Sequence, residues 1–239
     1  MRIPQDYTVF FTGECSLNVS FGNFIHTELN KMIQVICSAL KKEGRDYIVD
    51  IIPAYSCFAV YFDLRKVREA SGETPATEFI REEIARFLSG EFAAYVPSGK
   101  EFSIPVCYED GFAPDLHIIS SINRISREEI IRLHGDRAYH VFMLGFLPGF
   151  AYMGEVDERI AAPRKLQPSK KIETGSIGIA GRQTGIYPLT SPGGWQIIGR
   201  TPLPIFFPDR EEPALLNLGD RVRFYSITKD EFEDIKSRH

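Results

Sequence analysis

The sequence predicts two domains, an α+β unit over residues 1–95 followed by a mainly-β barrel over 96–239. Three observations carry this. Apolar residues in the first ninety positions alternate between strand-like runs and helical spacing. Beyond residue 100, short apolar runs broken by Gly and Pro dominate. Between the two, the segment VPSGKE, Val96–Glu101, gathers Pro, Ser and Gly between a helix end and a fresh strand.

Taken in order, Thr8–Phe11 and Leu17–Phe21 read as a strand pair around Gly13. Ile25, Leu29, Met32, Ile33, Ile36 and Leu40 then share one helical face that ends at Gly44, after Lys41 and Lys42. Tyr47–Ile52 and Phe58–Phe62 are strands about a turn at Pro53. Thr74 is read as a cap and Pro75 as the first residue of a helix carrying Ile80, Ile84, Phe87 and Leu88. With a strand at Phe102–Tyr108, the order strand, helix, strand, strand, helix, strand fits a ferredoxin-like α+β sandwich. In the second domain one helix is well signalled, Ser126–His134. It has Ser126 and Glu129 at capping-box spacing, with Ile125 and Ile130 as a staple. His134 falls in its last turn, where a cation complements the helix dipole. Leu218–Asp220 turn into a strand Arg221–Ile227, and Thr228 with Glu231 caps a terminal helix.

The stretch Gly145–Thr201 organises the chain. It holds ten of the 19 glycines and the only tryptophan, Trp195. Seven Lys or Arg lie between Arg159 and Arg200 against one acidic residue, Glu173, although the chain is net −4. Trp195 is either core filling or a recognition ring. The concentration of aromatic, basic and glycine residues favours a binding surface for a carboxylate, a phosphate or an acidic partner. Gly193 and Gly194 beside Trp195 mark a tight turn or a close backbone approach to a ligand.

Other chemistry is unsigned. There is no Walker phosphate loop, HExxH or nucleophile elbow, and Gly175, Gly178 and Gly181 do not open a helix. Cys15, Cys37, Cys57 and Cys107 form no CxxC pair; they read as reduced thiols and suggest no metal site. A pI near 5.8 argues against nucleic-acid binding. The N-terminus lacks a signal-peptide pattern, and the apolar run Val141–Met153 is too short to span a bilayer, so a cytoplasmic protein without membrane association is expected.

The runs YHVFMLGFLPGFAYMG, APRKLQPSKKIETGSIGIAGRQTGIYPLTSPGGWQIIGRTPL and LNLGDRVRF resemble the 5-oxoprolinase B-subunit family, also described as the KipI or allophanate hydrolase subunit 1 family. The likeness extends upstream through IPVCYE and FAPDL. It implies a ferredoxin-like domain and a cyclophilin-like barrel. It also implies a subunit, inactive alone, of a heteromeric ATP-dependent amidase that opens 5-oxoproline to glutamate together with C and A subunits. This chain itself would hold no cofactor; ATP would be used by the complex. Arg164, Arg182 and Arg200 are candidates for an anionic group, and Gln183, Thr184 and Tyr187 for a lactam's donor and acceptor. The family also implies an alternative, an inhibitor that binds a sensor histidine kinase, in which Phe146, Phe150, Tyr187 and Trp195 would be interface anchors.

Overall fold

A computed structural model describes residues 6–90, 92 and 99–238. The chain divides into two compact units, residues 1–97 and 98–239. The step from 95 to 96 predicted as the boundary lies outside the described residues.

The first unit opens with the hairpin β1 (Thr8–Phe11) and β2 (Ser16–Ser20), followed by α1 (Thr27–Lys42). His26 Nδ1 accepts the Leu29 N–H at the start of α1, and Leu29, Met32, Ile33, Ile36 and Leu40 are buried along one face, as their spacing requires. A second hairpin, β3 (Ile48–Pro53) and β4 (Cys57–Phe62), completes an antiparallel sheet in the order β1-β2-β4-β3. Two helices follow, α2 (Leu64–Ser71) and α3 (Ala76–Leu88). Helix α2 was not predicted because it buries a single side chain, Val67, and so shows no apolar stripe. Its legible signal is Asp63, whose carboxylate accepts the Arg65 and Lys66 N–H groups. Pro75 is the cap of α3 rather than its first residue, and Thr74 makes no side-chain cap bond.

The strand expected at Phe102–Tyr108 is present as β5 (Glu101–Cys107), but it belongs to the second unit, not to the first sheet. It lies parallel to β13 (Arg221–Ile227) along its whole length, which buries Ile104 and Val106 inside a closed barrel. The hairpin strand β1 supplies the fourth strand of the first sheet instead.

The barrel's other strands are β6 (Ala138–Leu144), β7 (Ala151–Gly154), β9 (Ser176–Ala180), β10 (Gln183–Ile186) and β12 (Gln196–Arg200). They close in the order β10-β7-β6-β13-β5-β12-β9. Two further strands, β8 (Ser169–Ile172) and β11 (Ser191–Gly193), form a separate ribbon. The two expected helices, α5 (Arg127–Gly135) and α6 (Lys229–Lys236), are joined by an unforeseen one, α4 (Leu116–Asn123), which precedes α5. Ser126 accepts the Glu129 N–H as expected, but the Glu129 carboxylate turns to Arg132, so only half of the predicted capping box forms. Thr228 and Glu231 form a complete one.

His134 is not a charged complement to the α5 dipole. It is fully buried, stacked on Phe224 at 4.6 Å, with Nδ1 2.8 Å from the Tyr108 hydroxyl and Nε2 3.1 Å from Thr184 Oγ1. Burial pushes its pKa down to about 3, so the ring is neutral at ordinary pH.

Candidate functional site

Side chains alternate across β9 and β12. Ile177, Ile179 and Ile198 point into the barrel core, while Ala180, Trp195 and Ile197 form a second, smaller cluster with Phe150, Ile172 and Tyr187. Its rings meet edge to face. Phe150 lies 5.4 Å from Trp195 and 5.2 Å from Tyr187, and Tyr152 lies 5.7 Å from Trp195.

This packing explains much of the glycine density. A Cβ on Gly193 would sit 2.5 Å from the Tyr187 hydroxyl oxygen and 2.6 Å from Ile172 Cδ1. One on Gly178 would lie 2.9 Å from Trp195 Cβ, and one on Gly185 2.9 Å from Phe150 Cζ. These glycines make room for rings of the same chain, not for a ligand. Trp195 is 4% exposed and Phe150 and Tyr187 are buried more fully, so each is a packing residue in this chain.

The exposed part of the cluster is its edge. Phe146 lies across Phe150 and Tyr187 at 5.6 and 6.3 Å, yet is 61% exposed. Its φ of 69° is a left-handed conformation that a bulky residue rarely adopts, held by a tight turn in which Phe150 N–H donates to Leu147 O and Gly145 N–H to Phe150 O. Arg164 is also exposed, and its charge opposes the burial that raises the pKa of the Tyr152 and Tyr187 phenols. Burial outweighs that charge, raising Tyr152 and pushing Tyr187 up to about 12, so both remain neutral phenols. Among the described residues no carboxylate pairs with Arg164.

The loop carrying Arg164 is tied down on both sides. Lys165 N–H donates to Gly194 O at 2.7 Å, and Gln196 Nε2 donates to Pro163 O at 3.0 Å. The Lys165 ammonium reaches Asp115 Oδ2 at 2.6 Å and Ser169 Oγ at 2.9 Å, and Asp115 Oδ2 also accepts the Ile197 N–H at 2.7 Å. Gln196 Oε1 is buried without a partner among the described residues. Asp115, Lys165, Gln196 and Tyr152 were not among the predicted site residues. Asp115 sits in FAPDL and Lys165 in the basic run, but only the fold shows that they meet.

The remaining predicted residues are not brought to this edge. Arg182 lies beyond the other end of β10 from Tyr187, paired with Glu155 at 2.5 Å and Glu158 at 3.2 Å. Gln183 stands beside it, opposite Gly154. Thr184 is buried against His134. The Arg200 guanidinium lies 5.6 Å from the Phe112 ring, with its Nε buried and without a partner among the described residues. Of the three predicted arginines, Arg164 alone combines exposure, an aromatic surround and freedom from a carboxylate. The edge can hold an anion against a guanidinium and flank it with the half-buried, neutral Tyr152 phenol; among the described residues a nucleophile paired with a base is not assembled there.

Residues 7–216 match the family described as carboxyltransferase domain, subdomain C and D. The chain is 36% identical to the Bacillus subtilis protein named as the B subunit of 5-oxoprolinase, over 96% of this chain and 97% of that protein. Among solved structures it is similar to TTHA0988, with 31% identity and a TM-score of 0.73; the match covers 89% of this chain but 40% of that one. The Kluyveromyces lactis urea carboxylase shares the fold at a TM-score of 0.78 and 20% identity, over 97% of this chain and 22% of that one. No helix among the described residues is long and apolar enough to cross a membrane. By the span of the family match and the near full-length likeness to the Bacillus protein, the chain belongs to the carboxyltransferase domain, subdomain C and D family and, within it, to the 5-oxoprolinase B-subunit proteins.

Proposed function

We propose that this chain is the B subunit of a heteromeric, ATP-dependent 5-oxoprolinase of the cytoplasm, working with C and A subunits to convert 5-oxoproline to glutamate. The observation that carries the site is Arg164, an exposed guanidinium at the rim of the aromatic cluster without a carboxylate partner among the described residues. A planar guanidinium matches the carboxylate of 5-oxoproline two bonds at a time, and the half-buried Tyr152 phenol stands nearby. A five-membered lactam is a stable amide whose opening needs carbonyl activation by phosphoryl transfer. The sequence has no phosphate loop, so that step falls to the partner subunits. In this reading the first unit is a variant of the ferredoxin-like sandwich and the barrel is of the cyclophilin-like kind. The kinase-inhibitor alternative is less supported, because the near full-length relative carries the 5-oxoprolinase name.

The test is 5-oxoproline turnover in the reassembled complex. Arg164→Ala should raise KM about tenfold or more, by loss of a charge-assisted bond worth about 1.5–3 kcal/mol. Arg182→Ala, which breaks a pair at the far end of β10, should leave KM unchanged. Equal KM values for wild type and Arg164→Ala would remove Arg164 from the substrate site.

A further inference from the structure

Gln196 stands where the barrel calls for an apolar side chain. It opens β12 directly opposite Ile179 of β9, and opposed residues of a ladder present their side chains on the same face; Ile179 belongs to the main barrel core. Gln196 is 4% exposed. Its amide is held one way round, because Nε2 donates to the Pro163 carbonyl oxygen, which can only accept. Oε1 is thereby turned elsewhere, and it has no partner among the described residues.

A buried acceptor without a donor lowers stability, whereas a hydrocarbon side chain of similar shape carries no such penalty. Packing alone therefore favours Met or Leu at this position. What the glutamine provides is one bond to the residue that precedes Arg164. Pro163 is exposed, so its carbonyl can turn to water and does not depend on Gln196 for a partner. The bond matters for what lies beside it. Gln196 fixes Pro163 O at 3.0 Å, Gly194 O fixes the Lys165 N–H at 2.7 Å, and Arg164 is the residue between them. The backbone of Arg164 is clamped on both sides while its side chain stays exposed.

We infer that Gln196 is a positioning residue for Arg164, present at some cost to barrel stability because it fixes the backbone from which the guanidinium meets the substrate carboxylate. This rests on the 5-oxoproline reading of the Arg164 site and adds to it the residue that orients the guanidinium. Two parallel bonds to a carboxylate form only when the approach of the guanidinium is fixed, so loosening its backbone weakens binding while the charge remains.

The experiment compares wild type, Gln196→Met, Arg164→Ala and the double variant. In the complex reassembled with the C and A subunits, Gln196→Met should raise the KM for 5-oxoproline about fivefold and leave kcat within about twofold. On the Arg164→Ala background the same substitution should change KM no further, because it acts through the guanidinium. In the isolated full-length chain, the urea midpoint of Gln196→Met, followed by Trp195 fluorescence, should equal or exceed that of wild type. A lowered midpoint would show that Gln196 serves barrel stability and would overturn the inference. So would an unchanged KM, or an equal rise in KM with and without Arg164, which would mean that Gln196 acts independently of it. In each of these cases a raised KM in Arg164→Ala leaves the 5-oxoproline reading of the site standing. An unchanged KM in Arg164→Ala, or no turnover by the wild-type complex, would remove that reading and this inference with it.

Discussion

Lowering the pH from 7 to 5 should cost the barrel about 2 kcal/mol through His134 alone. Folding holds this imidazole neutral, with its pKa depressed from 6.5 to about 3 by complete burial. Above 6.5 both folded and unfolded chains carry the neutral ring, and its contribution to stability is fully present. As the pH falls through 6.5 the unfolded chain takes up a proton that the folded chain refuses until about pH 3, so stability is lost across that window. At pH 5 the unfolded chain has gained about 1.5 pH units of protonation, which at about 1.36 kcal/mol per unit gives about 2 kcal/mol. Urea unfolding followed by the fluorescence of Trp195 is the assay, because the only tryptophan is buried in the second unit and reports on the barrel. Wild type should lose about 2 kcal/mol between the two pH values, a midpoint shift of about 1 M urea for a domain of this size. His134→Gln, which keeps a polar group near Tyr108 and Thr184 but cannot titrate, should lose that much less. The comparison cancels every other titrating group and any constant offset from the substitution. Equal losses in the two proteins would refute the argument.

Two substitutions test the packing and the tie beneath the candidate site. Gly193→Ala places a methyl group 2.5 Å from the Tyr187 hydroxyl oxygen, so it should destabilise the barrel by about 1–3 kcal/mol and shift Trp195 emission to the red. Unchanged stability would mean that the ribbon yields freely. Asp115→Leu removes the acceptor of both Lys165 and the Ile197 N–H; denaturant unfolding should show a loss of about 3 kcal/mol, the low end for an orphaned, mostly buried charge. Adding Lys165→Met should recover a large part of that loss, and failure to recover it would show that the Ile197 N–H, not the ion pair, sets the cost.

Most secondary elements were legible because their signals are local. The α1 stripe, the Ser126 and Thr228 caps and the turn before β13 each depend on residues within a few positions of one another, where backbone geometry alone imposes the spacing. Helix α2 escaped because a helix that buries only Val67 has almost no apolar period to detect. The aromatic and glycine residues of 145–201 pointed to the stretch that builds the second aromatic cluster, whose rings pack against glycines of the same stretch.

By itself, then, the sequence determined most of the individual elements and the family, since these rest on short-range spacing and on runs of residue identity. Tertiary structure alone decided which domain owns β5, because strand pairing with β13 joins residues more than a hundred positions apart. It decided that His134 is a neutral core residue and not a cap, because burial is set by what folds over a helix and not by its own ends. It also separated Arg164 from Arg182 and Arg200 and turned Trp195 from a recognition ring into packing. Charge and ring type are written in a sequence, but whether a side chain meets water, a carboxylate or another ring depends on neighbours brought in from distant parts of the chain.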